Sequence, residues 1–336
     1  MPTTVLRPPR HSAAGPRNPS AATAREAYFD NVKLLAIVLV VLGHAWQPLT
    51  SDSRAARALY LLVYAFHMPV FTVVSGYFSR SFDYSPERLR RLVTGAVVPY
   101  AVFETAYSLF KRYAGDDPGH RITLLDPWYL TWFLVALSVW RLTAPLWRLT
   151  RHPLPMALAI AALASTSQIG DELDLMRVLQ FLPFFVVGLS MRPEHFRRLR
   201  TRRARLAAVA VFAPALAVAY WAAPRTDQAW LYHRDSAADL GVPPWAGAAV
   251  VVALFGCSMV LTLAFLALVP GRRTRLTALG AGTLYAYLLH GFVIQASRFG
   301  DWYDHPFVRT PLGAVAVTVV AALAALALCT APVRTL

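Results

Sequence analysis

The chain is predicted to be all-α, a polytopic transmembrane helical bundle of about ten helices with both termini cytoplasmic. Three observations predict it. Of its 336 residues, 57% are hydrophobic and 15% charged, whereas ordinary soluble domains carry roughly 25% charged residues. Apolar runs of about 20 residues, the length that crosses a bilayer, recur along most of the chain. The basic residues behind the net charge of +15 sit in short clusters between those runs. That is where the positive-inside rule puts them, and it argues against a nucleic-acid-binding face.

Residues 1–27, rich in Pro, Arg, Ser and Ala, read as a disordered cytoplasmic tail, and residues 28–336 as the membrane domain. The first apolar run opens on Asp30 and Lys33 and lacks a small-residue cleavage site, so it reads as an uncleaved span. The expected spans are 30–50, 59–79, 92–111, 128–148, 154–170, 177–191, 206–222, 245–268, 276–298 and 310–331. Several are short or contain proline, which membrane helices tolerate where neighbours satisfy the freed backbone groups. Cys257 and Cys329 both lie inside apolar runs and read as buried thiols; neither a disulfide nor a zinc site is indicated. The aromatic pairs Trp128-Tyr129, Trp132-Phe133 and Trp302-Tyr303 read mainly as interfacial belts.

Orientation follows from alternate connections. The tail, residues 80–91, 148–153, 192–205 and 270–275, and the C-terminal end together hold 21 of the 33 basic residues. The opposite connections hold fewer and carry many of the acids. The first set is therefore expected on the cytoplasmic side.

Polar residues that remain inside spans point to function, because each costs free energy to insert. Three histidines do so: His44 in VVLGH, His67 in FHMP and His290 in YLLHGF. With a helix rise of about 1.5 Å per residue, they lie roughly 21, 18 and 21 Å from the basic side, in one slab. Each could simply hydrogen-bond a neighbouring helix, but a common depth on three helices suggests a common site. No His-x-x-x-His pair or inward carboxylate pair accompanies them, so no metal is expected. Glu104, near mid-depth in the third span, is placed to orient a histidine or to pair structurally. Asp30 and Lys33 share a helix face and suit a local ion pair, or else Lys33 presents charge at the cytoplasmic mouth. Arg177 either anchors a ligand or snorkels to the headgroups. Ser75-Gly76 suits a close helix contact, with a nucleophilic serine as the sharper reading. The Arg88, Arg90 and Arg91 cluster serves topology first and phosphate binding second.

Histidine suits general-base chemistry near neutral pH. A hydroxyl attacking a thioester needs such a base and a stabilised oxyanion. A basic cytoplasmic mouth suits a phosphate-bearing donor such as acyl-CoA, and an outer mouth with Trp, Tyr, Asp and Arg suits a sugar. A proton-coupled transporter or flippase would also place histidines at mid-depth, and the residues alone leave both readings open.

The segments YFDNVKLLAIVLVVLGHAWQPL (28–49), YAFHMPVFTVVSGYFSR (64–80), WYLTWFLVALSVWRL (128–142), LMRVLQFLPFFVVGL (175–189) and GTLYAYLLHGF (282–292) occur in order. Together they resemble the acyltransferase-3 family, in particular its fucose 4-O-acetylase-like branch. That resemblance implies a multi-pass O-acyltransferase of the cell membrane. Its donor would be acetyl-CoA and its acceptor the hydroxyl of a sugar or glycan. It matches the family's catalytic histidine to His44, its FHMP histidine to His67 and its first-span basic residue to Lys33; from the residues themselves, Glu104 is expected to assist catalysis, and Arg88, Arg90 and Arg91 to hold the donor's phosphates with Lys33. It matches the Arg ahead of its LPFF motif to Arg177, which is expected to bind the acceptor together with Trp128 and His290. The ninth-span motif departs from the family's usual Asn or Ser near Gly282, so no side-chain contact is carried over there.

Overall fold

The computed structural model describes residues 19–334, and every regular element among them is helical. The first helix, α1, spans Pro19–Trp46, so residues 19–27, expected in the tail, already form its first turns; residues 1–18 lie outside the described residues. Then follow α2 (Arg54–Tyr64), α3 (His67–Ser79), α4 (Pro86–Leu92), α5 (Val98–Ala114), α6 (Trp132–Leu149) and α7 (Pro153–Ser165). After these come α8 (Leu175–Ser190), α9 (Pro193–Leu199), α10 (Arg202–Ala222), α11 (Pro244–Leu268), α12 (Thr283–Phe299), α13 (Pro311–Leu328) and α14 (Ala331–Arg334).

Among the described residues the chain passes ten times between two ends. Eight passes are long and apolar enough to cross a membrane. The other two are α6, which carries Arg141 and Arg148, and the 13-residue α7. Side-chain contacts sort the connections as the alternation of charge requires. At the basic end, Asn31 Nδ2 donates to the carbonyls of Pro270 (2.8 Å) and Arg272 (3.0 Å). Arg148 reaches the carbonyls of Arg80 and Phe82, and Arg80 reaches that of Met191. At the other end, Arg57 donates to the Thr226 carbonyl, Arg234 pairs with Asp171, and Arg309 lies 3.9 Å from Asp52.

The second span is broken at Ala65–Phe66, and Pro69 explains why. Proline has no N–H for the Ala65 carbonyl, and its ring crowds that carbonyl, so the helix cannot run through. His67 is the first residue after the break, and its imidazole Nδ1 lies 2.9 Å from the Val63 carbonyl. A π-turn at Val93–Val97 likewise precedes Pro99, joining α4 to α5.

The core runs through α1, α3, α6, α8 and α12. Trp132 and Phe133, expected at the interface, are buried in it, as is Trp140, whose indole donates to the Val178 carbonyl at 2.9 Å. In contrast, α10 and α13 turn most of their apolar side chains outward, as lipid-facing helices do. Cys329 is buried, but Cys257 is exposed on α11: an apolar run facing lipid does not bury its thiol against protein.

The tightest contact joins α3 and α8. A Cβ on Gly76 would overlap the Phe185 carbonyl oxygen, and one on Gly188 would overlap the Val73 carbonyl oxygen. Small residues thus let the two backbones touch. Ser75-Gly76 is therefore part of a helix contact, and Ser75 is not among the residues lining the large cavity described below. Gly188→Ala should lower the thermal midpoint, in line with the roughly 1–3 kcal/mol cost of overpacking. Gly256→Ala, where a Cβ meets nothing within 4 Å, should not. Thermal unfolding of the two variants in the same detergent checks this, and equal midpoints would contradict it.

Candidate active site

A cavity of about 1170 Å³ penetrates the bundle from the less basic end. Its mouth is lined by residues of the connections at that end, among them Lys111, Asp126, Asp171, Arg234 and Asp239. Its floor carries His44 and His67, with Val40, Met68 and Phe181 beneath.

The three mid-span histidines do converge. The His44 ring centroid lies 5.4 Å from that of His290 and 6.0 Å from that of Tyr64, and Tyr64 lies 4.6 Å from His67. His44 Nδ1 is 3.3 Å from the Tyr64 hydroxyl. His290 is buried behind His44 and is not part of the cavity lining. Its Nδ1 is 2.9 Å from the Ala286 carbonyl, one helical turn back, as His67 Nδ1 is from Val63. A carbonyl can only accept, so in both rings Nδ1 carries the proton and the neutral imidazole keeps its lone pair on Nε2. The Nε2 of His290 is buried without a hydrogen-bond partner.

Glu104 is fully buried, but none of its hydrogen-bond partners is a histidine. It accepts the Trp128 backbone N–H at 2.9 Å, the Thr131 hydroxyl, and the Ser108 hydroxyl at 3.2 Å. Trp128 forms part of the cavity wall, with Lys111 Nζ 5.3 Å above its ring. Arg177 lines the cavity too. It is held by Asp174 (2.5 Å), by the Tyr232 carbonyl (3.0 Å) and over the Trp132 ring (5.2 Å).

The expected donor site lies elsewhere. Lys33 pairs with Asp30 at 2.8 Å, the local ion pair suggested by their spacing. Arg88 bonds to Ser81 and Asp83. Neither these two nor Arg90 and Arg91 line the cavity. At that end, Phe29, Tyr77 and Phe196 pack ring against ring, with centroids 4.7 to 5.1 Å apart.

Sequence reasoning missed Arg298, whose guanidinium bonds Gln47 Oε1 at 2.5 Å in the cavity wall. Gln47 opens the 3-10 turn that follows α1, three residues after His44, and Arg298 lies eight residues after His290 on α12, but nothing in the sequence pairs the two. It also missed Tyr64 and Tyr129, whose rings flank His44 at 6.0 and 4.9 Å. Among the described residues, no group of three or more His, Cys, Asp or Glu is arranged to hold a metal ion.

The helices enclose a polar cavity with two histidines on its floor, and sequence comparison names the class of protein. Residues 26–331 match the acyltransferase-3 family model, described as an acyltransferase domain; the chain belongs to that family and is a multi-pass membrane O-acyltransferase. It is also 27% identical over 318 residues to the nodulation protein NolL of Sinorhizobium fredii (strain NBRC 101917 / NGR234), which covers 85% of this chain and 83% of that protein. No solved structure matches the chain. Family membership decides for an enzyme where the histidines alone left transport open.

One wall of the cavity carries its own pH dependence. His233, in the connection between α10 and α11, is buried, with Nδ1 2.9 Å from Gln180 Oε1 of α8. Burial, and then the charge of Arg177, lower its pKa to about 4. The unfolded segment would take up a proton near pH 6.5. The docked neutral ring is thus stabilising above that pH, and this stability is lost as pH falls towards 4. Hydrogen exchange of residues 228–240 should show protection, corrected for intrinsic rate, declining below pH 6.5. His233→Gln should flatten the decline; constant protection in the native chain down to pH 4.5 would contradict the assignment.

Proposed function

We propose that the protein transfers an acetyl group from acetyl-CoA, supplied at the basic cytoplasmic end, to a hydroxyl of a sugar or glycan entering the cavity from the opposite face of a prokaryotic cell membrane. The fucose 4-O-acetylase-like branch of the family is the closest description. The observation that supports this best is the meeting of His44 and His67 on the floor of one polar cavity. The mouth offers Trp128 as a flat ring and Asp126, Asp171, Asp239 and Arg234 as hydrogen-bonding groups, a lining that suits a polyhydroxylated acceptor. Arg177 is the cation that anchors it.

His44 acts as general base. Tyr64 accepts its Nδ1–H, which leaves the Nε2 lone pair for the acceptor hydroxyl. As the hydroxyl oxygen bonds to the thioester carbon, His44 takes its proton. The tetrahedral intermediate then expels the thiolate of CoA, and the C–S bond breaks. The proton passes from His44 to the thiolate, so the ester and free CoA thiol leave and His44 is neutral again. His67, with its own Nε2 lone pair, assists. His290 supports His44 from behind and acts on the acceptor only through it.

On the donor side, Lys33 lies 11 residues before His44 on α1, about 16 Å along the helix. That is a span the pantetheine arm of CoA can bridge. Lys33, Arg88, Arg90 and Arg91 then hold the phosphates.

His44→Ala should leave a folded protein with kcat lowered roughly 10²–10⁴-fold, the usual contribution of general-base catalysis. His67→Ala should be impaired less. The native kcat/KM should rise with pH as the base loses its proton. These are measured as thiol release from acetyl-CoA and as acetyl-sized mass differences in surface glycans with and without the gene. Near-normal turnover in His44→Ala would refute the role.

Changing Lys33, Arg88, Arg90 and Arg91 together to Gln should raise the KM for acetyl-CoA and leave kcat nearly unchanged, as expected when uniform binding is lost. Steady-state kinetics decide. A fall in kcat at unaltered KM would show that these residues do not hold the donor.

A further inference from the structure

Tyr129 stands in the cavity wall in the left-handed region of backbone space, at φ 62°. A residue with a large side chain adopts that conformation only where its surroundings enforce it. Here both flanks are tied down. The fully buried Glu104 carboxylate accepts the Trp128 N–H at 2.9 Å on one side and the Thr131 hydroxyl on the other. The Leu130 carbonyl accepts the hydroxyl of Tyr287 from α12. Gly291, beside His290, lets α12 press this close, because a Cβ there would overlap the Tyr107 hydroxyl.

The outcome of this enforcement is the placement of the Tyr129 ring, 4.9 Å from the His44 ring. Its hydroxyl is buried and bonds to nothing. Two neighbouring buried phenols behave differently: Tyr107 donates to the Leu288 carbonyl and Tyr287 to Leu130. A buried hydroxyl without a partner is unfavourable unless something that accepts its hydrogen bond arrives. The guanidinium groups in the same cavity are each tied to another side chain, Arg298 to Gln47, Arg177 to Asp174 and Arg234 to Asp171, although Arg298 Nε is itself buried without a partner.

We infer that Tyr129 is a catalytic residue, donating a hydrogen bond from its phenol to the oxyanion that forms at the thioester carbonyl, and that Glu104 is its positioning residue. This rests on the acyl-transfer reading given above. No proton changes hands in the contact. The hydrogen bond strengthens as the C=O becomes C–O⁻ and weakens as the C–S bond breaks and the carbonyl re-forms, while His44 carries the acceptor's proton.

The test uses full-length protein in lipid nanodiscs, with acetyl-CoA as probe and water as acceptor, read as thiol release. Tyr129→Phe keeps the ring against His44 and removes only the hydroxyl. Its kcat should fall roughly 10²–10³-fold, as on loss of one oxyanion donor. KM for acetyl-CoA should stay within about twofold and the pH profile should keep its shape. Glu104→Gln should also lower kcat, but add little in the Tyr129→Phe background, because both changes remove the same contact. Tyr129→Phe with native kcat, alongside an inactive His44→Ala, overturns the role of Tyr129 and leaves the acyl-transfer reading standing. Native thiol release in His44→Ala overturns that reading itself. A full additional loss from Glu104→Gln in the Tyr129→Phe background overturns the positioning role.

Discussion

The site depends on one constraint: inside a bilayer, a polar group must find its partner within the protein. For His67 and His290 that partner is the carbonyl one turn back on the same helix. The bond satisfies Nδ1 and also decides which nitrogen keeps the lone pair. At His67 the constraint is met together with another. Pro69 breaks the span at Ala65–Phe66, and the imidazole caps a carbonyl beside the break. The FHMP segment is therefore a backbone device as much as a chemical one. It turns a helix end into the cavity floor and fixes the tautomer of the ring it places there.

The two ends of the bundle differ in what lies between them and the histidines. From the less basic end the way is an open, polar cavity. At the basic end, Phe29 packs against Tyr77 and Phe196, next to the backbone contact of Gly76 with Gly188, and none of these residues lines the cavity. An acceptor from the open side meets His44 directly. On the proposed reading, a donor from the basic side reaches the histidines as a narrow arm, because the cavity lining does not extend to that end. This asymmetry suits a reaction whose donor is a thin thioester chain and whose acceptor is a broad, hydroxylated molecule.

Much of this was legible in the sequence, for physical reasons. Eight of the passes followed from apolar run length, and the separation of the connections from the alternation of arginines, because a bilayer imposes both. The convergence of His44, His67 and His290 followed from their common depth. What was not legible depended on azimuth, the direction in which a side chain leaves its helix. Glu104 lies at mid-depth yet turns to the Trp128–Thr131 turn, away from the histidines. Trp132 and Phe133 have the composition of an interfacial belt, but their side of α6 faces the core. Arg298 has the position of a snorkelling helix-end residue, and its partner Gln47 is 251 residues away. No local pattern encodes such a pair.

The same distinction explains why Tyr129 is invisible in sequence. In the segment DPWYLTW it is one of three aromatic residues at the start of a span, where aromatic residues are common on solvation grounds alone. Two features distinguish it, its backbone angle and its unbonded hydroxyl, and both arise from residues on α5 and α12. A buried carboxylate in a membrane helix is costly, and Glu104 meets that cost by bonding three donors, two of which flank Tyr129. The free energy of burying Glu104 is thereby coupled to the shape of one turn. That turn is where a strained backbone sets the Tyr129 ring 4.9 Å from that of His44, the residue proposed as the base.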